Sequence, residues 1–326
     1  MSPVARWASL GALGLLVAAL LVWWRFDGDM KLATARAARG SVVIDTRCGA
    51  IEYQEAGTGP ALRMVHGSGG GHDQGMAFAG GLTRHGIRVI AMSRFGYLRT
   101  PRPEDASPAA QADAHTCLLD ALGIRQAAVV GGSAGAPSAM QMAIRHPARV
   151  GALVLLVPLA FKPTTVADSA KPLPAAAERL LMRLIGSDLL FWAGLHLARD
   201  QVIRYVLATP PEQVAAASPQ ERARVNAILD AILPVSARAA GLRDDSVLGQ
   251  RIPSYPLEAI GAPTLIISTR DDGFGTFASA QYTASRIAGA KFIGYDHGGH
   301  VWVGHDDEVR AAIASWVLSP RAPVSQ

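Results

Sequence analysis

The sequence predicts an α/β fold: a mostly parallel central sheet with helices on both faces, an N-terminal antiparallel hairpin, a helical insertion and an N-terminal transmembrane helix. Three observations predict it. Short apolar runs alternate with helical segments, that alternation stops between residues 159 and 260, and the chain begins with a long uncharged stretch. Runs apolar on both faces and separated by helices imply strands of a parallel sheet covered on both sides. With 326 residues, half of them apolar, the chain can bury one large core and carry an insertion.

In chain order, residues 7–24 carry no charge. As a helix they reach about 27 Å, close to the ~30 Å hydrocarbon thickness of a bilayer, and predict a single-span anchor. The stretch ends in Trp23-Trp24-Arg25, an interfacial anchor rather than a small-residue cleavage site. Ala33-Thr34-Ala35 keeps open a cleaved signal, which would leave the remainder secreted or periplasmic. Arg25, Lys31, Arg36 and Arg39 follow the span against Arg6 and the amino terminus before it, so charge balance leans towards a cytoplasmic remainder.

After a linker over 25–40, strands at 42–46 and 50–55 flank Arg47-Cys48-Gly49 as a hairpin. Further strands are expected at 62–65, 89–92, 127–130, 153–157, 264–267 and 292–295. One helix start is legible: Ser107 caps and Pro108 takes the first helical position, with the helix running to about Leu122. The core therefore divides into 41–160 and 258–320, with a tail at 321–326. The insertion, 161–257, shows helical periodicity punctuated by Pro172, Pro174, Pro210-Pro211, Pro219 and Pro234. Its segment with Leu181, Leu184, Ile185, Leu189, Leu190, Phe191, Trp192, Leu195 and Leu197 is more apolar than one buried helix face needs. It reads as a packing surface, part of which would line an apolar pocket over the sheet.

The net charge is +5 with only 17% charged residues, and no long Lys/Arg run forms a phosphate-tracking stripe, which argues against a nucleic-acid partner. Cys48 and Cys117 read as neither a disulfide framework nor a metal-ligand pattern, and no metal or organic cofactor is implied.

The chemistry centres on Gly131-Gly132-Ser133-Ala134-Gly135, between a buried-strand pattern and a helical pattern over 136–146. A strand, a sharp turn carrying a serine and a helix make a nucleophile elbow, whose reversal within a few residues demands small neighbours. A serine needs a base, a group orienting the base, and donors for an oxyanion. For the base, Asp296-His297-Gly298-Gly299-His300 follows the last strand, and the two glycines free the backbone to bring His300 inward; His297 and His305 compete. For the orienter, the strand at 264–267 leads to Asp271 and Asp272, with Asp272 preferred and Asp271 open. For the oxyanion, Val65-His66-Gly67-Ser68-Gly69-Gly70-Gly71-His72 lets backbone NH groups approach a ligand, and the donors are assigned as the NH groups of Ser68 and Ala134. His66 braces that loop. A phosphate cradle is disfavoured, since no Gly-Lys-Ser/Thr follows.

From about residue 42 to 318 the chain resembles the α/β-hydrolase family with a serine nucleophile and a helical cap, by His66-Gly67, the elbow at Gly131 to Gly135, Asp272, and Gly299-His300. Ser93-Arg94-Phe95-Gly96-Tyr97 is similar to the family's Arg-x-Gly-x-Gly segment, and the glycine-rich oxyanion loop to those of its carbon-carbon bond hydrolases and some esterases. Three departures stand out: Leu98-Arg99-Thr100 replaces Gly-x-Ser, Thr269 stands where glycine is common, and Gly273-Phe274-Gly275-Thr276 replaces Pro-x-Val-Pro. The resemblance implies hydrolysis of a small apolar carboxylic ester or related acyl compound through an acyl-serine. Carbon-carbon hydrolysis, perhydrolysis and acyl transfer use nearly the same residues, and a non-catalytic membrane-tethered binding protein is the alternative of another class.

Overall fold

The computed structural model describes residues 3–163 and 186–319. An eight-stranded sheet runs through it in the order β1-β2-β4-β3-β5-β6-β7-β8, built from β1 (Val42–Thr46), β2 (Gly49–Ala56), β3 (Ala61–Val65), β4 (Arg88–Met92), β5 (Ala127–Gly132), β6 (Val150–Leu156), β7 (Thr264–Thr269) and β8 (Lys291–Tyr295). The hairpin β1–β2 and the β2–β4 pair are antiparallel; from β4 onward every pair is parallel. All the strands expected from the apolar runs are present, with bounds shifted by up to three residues. Parallel register puts the C-terminal ends of β3, β5, β7 and β8 on one edge of the sheet, where loops diverge to carry function.

Helices cover both faces. On one side α3 (Pro108–Ala121), α4 (Ala136–Arg145) and α10 (Thr276–Arg286) contribute Ala112, Leu119, Met140 and Ala280 to a cluster with Val129, Leu153 and Ile266. On the other, α2 (His72–Ala79) and α11 (Asp306–Leu318) contribute Ala79, Val309 and Ile313 against Met64, Val130 and Ile267. The α3 start is as expected: Ser107 Oγ accepts the Ala110 NH at 3.2 Å, with Pro108 in the first turn.

Between β6 and β7 the described residues form α5 (Asp188–Leu197), α6 (Arg199–Val206), α7 (Pro211–Ala216), α8 (Pro219–Asp230) and α9 (Ala239–Gln250). They share a separate apolar cluster around Phe191, Trp192, Ile203, Val225 and Leu229. Leu181, Leu184, Ile185, Pro172, Pro174 and the tail at 321–326 lie outside the described residues.

The first helix, α1 (Pro3–Ala37), holds a segment over Ser9–Ala37 long and apolar enough to cross a membrane. The expected linker over 25–40 is instead helical through Ala37. Phe26, Met30, Ala33 and Ala37 recur at helical spacing on one face; Ala33 and Ala37 are buried, and Phe26, Met30 and Ala33 join the cluster of the insertion. Trp192 Nε1 donates to Asp29 at 2.9 Å and the Arg36 guanidinium to the Asp230 carbonyl at 2.6 Å. Docking, which charge content and periodicity alone did not reveal, extends the helix. A second correction concerns the cysteines: the hairpin turn lies on α3, and Cys48 and Cys117, 69 residues apart, are joined as a disulfide with a Cα–Cα distance of 6.0 Å.

Candidate active site

Ser133 follows the last residue of β5 and occupies the left-handed region at φ 48°. Such a backbone is strained for any residue with a Cβ, and the surrounding structure has to enforce it. Two neighbours show how. A Cβ on Gly131 would lie 2.6 Å from that of Ala139, and one on Gly135 would lie 2.5 Å from the carbonyl oxygens of Val65 and His66. The turn is therefore pressed against α4 on one side and β3 on the other, and it holds Ser133 out at the sheet edge.

His300 reaches it from the loop after β8. Its Nε2 lies 2.9 Å from Ser133 Oγ and its Nδ1 lies 2.8 Å from Asp272 Oδ2. With Nδ1–H donating to the carboxylate, Nε2 is left to accept the serine proton. Asp272 is 3% exposed and His300 9%. The carboxylate also accepts the Phe274 NH at 2.9 Å and the Thr276 hydroxyl, which fix it against rotation. The Phe274 ring meets the imidazole edge-on at 4.8 Å between centroids, closing one side of the site.

The alternatives left open by the sequence fall elsewhere. Asp271 accepts the NH groups of Gly299 at 2.9 Å and Gly298 at 3.3 Å, and the Gln213 amide at 2.5 Å, so it braces the histidine loop rather than the ring. His297 is mostly exposed, its Nδ1 3.8 Å from Asp271. His305 precedes α11 and stacks on Tyr295 with centroids 4.0 Å apart. Thr269, which stands where glycine is common, donates its hydroxyl to the Gly299 carbonyl at 2.7 Å. Glycine at 299 is required by φ 58° and by Thr209, whose Oγ1 would lie 2.6 Å from a Cβ there.

On the other side of Ser133 the loop from His66 to Gly71 carries Ser68, and Ala134 opens the turn into α4; both line the same cavity as Ser133 and His300. Gly67 NH is held by Gln74 at 2.9 Å. His66 is fully buried, its Nδ1 2.7 Å from the Gly67 carbonyl and its Nε2 accepting the Arg94 NH at 2.9 Å, which makes it the brace expected. Burial first, then the Arg94 charge, hold its pKa well below the ordinary histidine value.

The cavity above these groups has a volume of about 420 Å³ and extends into the insertion. Phe78, Leu159, Val206, Ile228, Leu242 and Trp302 give it an apolar wall, and no Lys or Arg lines it among the described residues. A nucleophile hydrogen-bonded to a base, a base held by a buried acid, and a glycine-rich loop lining the same cavity suit attack on an acyl carbon.

Fold and site thus define a hydrolase class. The sequence profile of the α/β-hydrolase fold matches residues 60–303, and the chain belongs to that family. It is similar to a 2-hydroxy-6-oxo-6-phenylhexa-2,4-dienoate hydrolase of Comamonas testosteroni, 33% identical over 139 residues, covering 41% of this chain and 47% of that one. A 2-hydroxymuconate semialdehyde hydrolase of Pseudomonas putida is 42% identical over 100 residues, covering 30% and 35%. The chain thus spans a third to a half of the length of these curated relatives. Among solved structures, an α/β-hydrolase fold protein from Nakamurella multipartita superposes with a TM-score of 0.70 at 30% identity, over 85% of this chain and 98% of that one.

Proposed function

We propose that this membrane-anchored protein hydrolyses a neutral, apolar carboxylic ester through an acyl-Ser133 intermediate. The observation that carries the reading is the hydrogen-bonded chain Ser133–His300–Asp272 opening into an apolar cavity with no cationic wall residue among those described. His300 Nε2 takes the Ser133 proton as Oγ attacks the ester carbonyl carbon. The tetrahedral oxyanion lies against the NH groups of Ser68 and Ala134, while Asp272 stabilises the imidazolium. As the intermediate collapses, the carbon–alkoxide bond breaks and His300 returns the proton to the departing alcohol. Water, deprotonated by His300, then releases the acid and restores Ser133.

The similarity to dienoate hydrolases favours carbon-carbon hydrolysis as the second reading. Substrates with such names carry a carboxylate, and a buried carboxylate calls for a cation to pair with. Here no Lys or Arg lines the cavity among the described residues, and the one wall carboxylate, Asp245, already has its cation in Arg94, which supports a neutral ester instead.

Labelling with a fluorophosphonate probe tests the reading: the wild type is expected to be labelled and Ser133→Ala to be blank. Folded wild type that resists the probe would sink it. Turnover of p-nitrophenyl esters is expected to rise from acetyl towards longer chains that fill the cavity, and an acetyl-only preference would count against the apolar subsite.

The sidedness of the domain is inferred from its cysteines. A disulfide persists in oxidising compartments, so the Cys48–Cys117 bond supports an extracytoplasmic domain against the lean of the flanking charges. Cys48 and Cys117 in protein from cells are expected to react with a maleimide only after reduction; free thiols at isolation would reverse the assignment.

A further inference from the structure

The loop bearing Ser68 is held from the helical insertion by a buried acid that the reaction scheme above does not use. Asp245, on α9, is 7% exposed. Its Oδ2 accepts the Ser68 hydroxyl at 2.9 Å and the Tyr97 hydroxyl. Arg94 grips the same carboxylate with two parallel bonds of 2.8 and 2.6 Å, while its Nε donates to the His66 carbonyl at 3.0 Å. Asp245 is thus fastened to two points along the loop, directly to Ser68 and through Arg94 to His66.

The helix that carries it cannot slide away. Gly241 NH donates to the Gly96 carbonyl at 3.0 Å, Leu98 NH to the Ala237 carbonyl at 2.7 Å, and a Cβ on Gly241 would stand 2.0 Å from the Tyr97 ring. From the preceding turn, the buried Arg238 adds a bond to the Gly70 carbonyl at 2.5 Å and pairs with Asp73 at 2.6 Å. Charge makes Asp245 an unusual choice at this place. A carboxylate beside a forming oxyanion repels it, and the bidentate guanidinium of Arg94 is what cancels that repulsion.

We propose that Asp245 is a positioning residue for the oxyanion site: through Ser68 Oγ and Arg94 it fixes the direction of the Ser68 NH, so the insertion sets transition-state stabilisation as well as covering the substrate. This rests on the hydrolase reading, because an oxyanion has to form at Ser133. Donors aimed at developing charge stabilise it only when held in place before it forms.

The test uses the full chain in detergent and an ester that the wild type turns over. An alkyl boronic acid mimics the tetrahedral adduct at Ser133, and a primary alcohol of the same chain length fills the cavity without forming an oxyanion. Asp245→Asn and Ser68→Ala are each expected to lower kcat/KM by about tenfold or more and to raise the boronate Ki in parallel, a fraction of the loss seen when an oxyanion donor is removed outright. Inhibition by the alcohol is expected to stay within about twofold, since ground-state binding does not use the donor. The double variant is expected to lose little beyond either single one, because both act on the same contact: Asp245→Asn leaves one acceptor oxygen for Arg94 and Ser68 together, and Ser68→Ala removes the donor. Ser68→Ala leaves the Arg94–Asp245 pair intact and decides the matter if Asp245→Asn does not fold. Losses under about threefold in Ser68→Ala, losses that multiply in the double variant, or equal weakening of alcohol and boronate would overturn the proposal. Wild type without ester turnover or Ser133 labelling would instead overturn the hydrolase reading, before any variant is made.

Discussion

Two loops flank Ser133, and the insertion braces both in different chemical currencies. Around His300 and the acid turn the histidine loop is held by neutral groups of the insertion: the Ala208 carbonyl accepts the NH groups of Gly273 at 2.9 Å and His300 at 3.4 Å, and the Gln213 amide bridges Asp271 and the Gly298 NH; the Arg224–Glu221 pair of α8 holds it further on, at the Val301 carbonyl and the Gly304 NH. The oxyanion loop is held by buried charges, Asp245 against Arg94 and Arg238 against Asp73. Losing a neutral hydrogen bond costs about 1 kcal/mol, whereas breaking one side of a buried ion pair costs about 3–5 kcal/mol. The backbone at His300 therefore costs less to displace than the oxyanion loop, whose anchors are buried ion pairs.

The sharpest way to break the comparison is at the adjacent acids. Asp272→Asn is expected to reduce kcat by about 10³–10⁴-fold, the scale for losing the carboxylate that sets the tautomer and faces the imidazolium. Asp271→Asn is expected to cost only about tenfold, because an amide oxygen still accepts the Gly299 NH and the ring keeps its acid. Gln213→Ala, which removes a single neutral brace, is expected to fall lower still, at a few-fold. Steady-state kinetics of the three variants on one ester would give that ranking. Equal losses at the two acids would mean that the histidine loop, like its neighbour, depends on fixed charge.

Much of this was legible in the sequence for local reasons. Each strand of the sheet announces itself as an apolar run, and Ser133, Asp272 and His300 follow strands whose parallel order brings them to one edge. Asp271 and Asp272 could not be separated by pattern, because one residue of register decides which carboxylate meets the ring and which meets the loop backbone. Asp245 had no sequence signal at all: its partners Ser68, Arg94 and Tyr97 lie about 150 to 177 residues away. Docking of α1 was missed for the same kind of reason. Arg25, Asp27, Asp29 and Lys31 make the segment read as solvated linker, yet Arg25–Asp29 and Lys31–Asp27 pair along the helix at 3.0 and 2.6 Å and leave its apolar face free to dock.

A further expected effect comes from acid and is read in stability rather than turnover; it too separates the two loops. His66, at the root of the oxyanion loop, and His115, behind the elbow with its Nε2 3.1 Å from Ser138 Oγ, are fully buried. Burial first, then the guanidinium of Arg94 for His66 and of Arg63 for His115, hold both well below the ordinary histidine value of 6.5. The folded state thus keeps them neutral where the unfolded chain binds protons. By linkage, stability is at its full value above about pH 6.5 and falls as the pH drops below it, by up to about 1.4 kcal/mol per pH unit for each histidine. Denaturant unfolding in detergent between pH 5 and 8 is expected to show that decline, and His66→Gln to lose about half of its slope while remaining folded. An unchanged slope in His66→Gln would place the acid sensitivity elsewhere and remove the distinction between a loop anchored on buried, proton-free groups and one built to pass a proton.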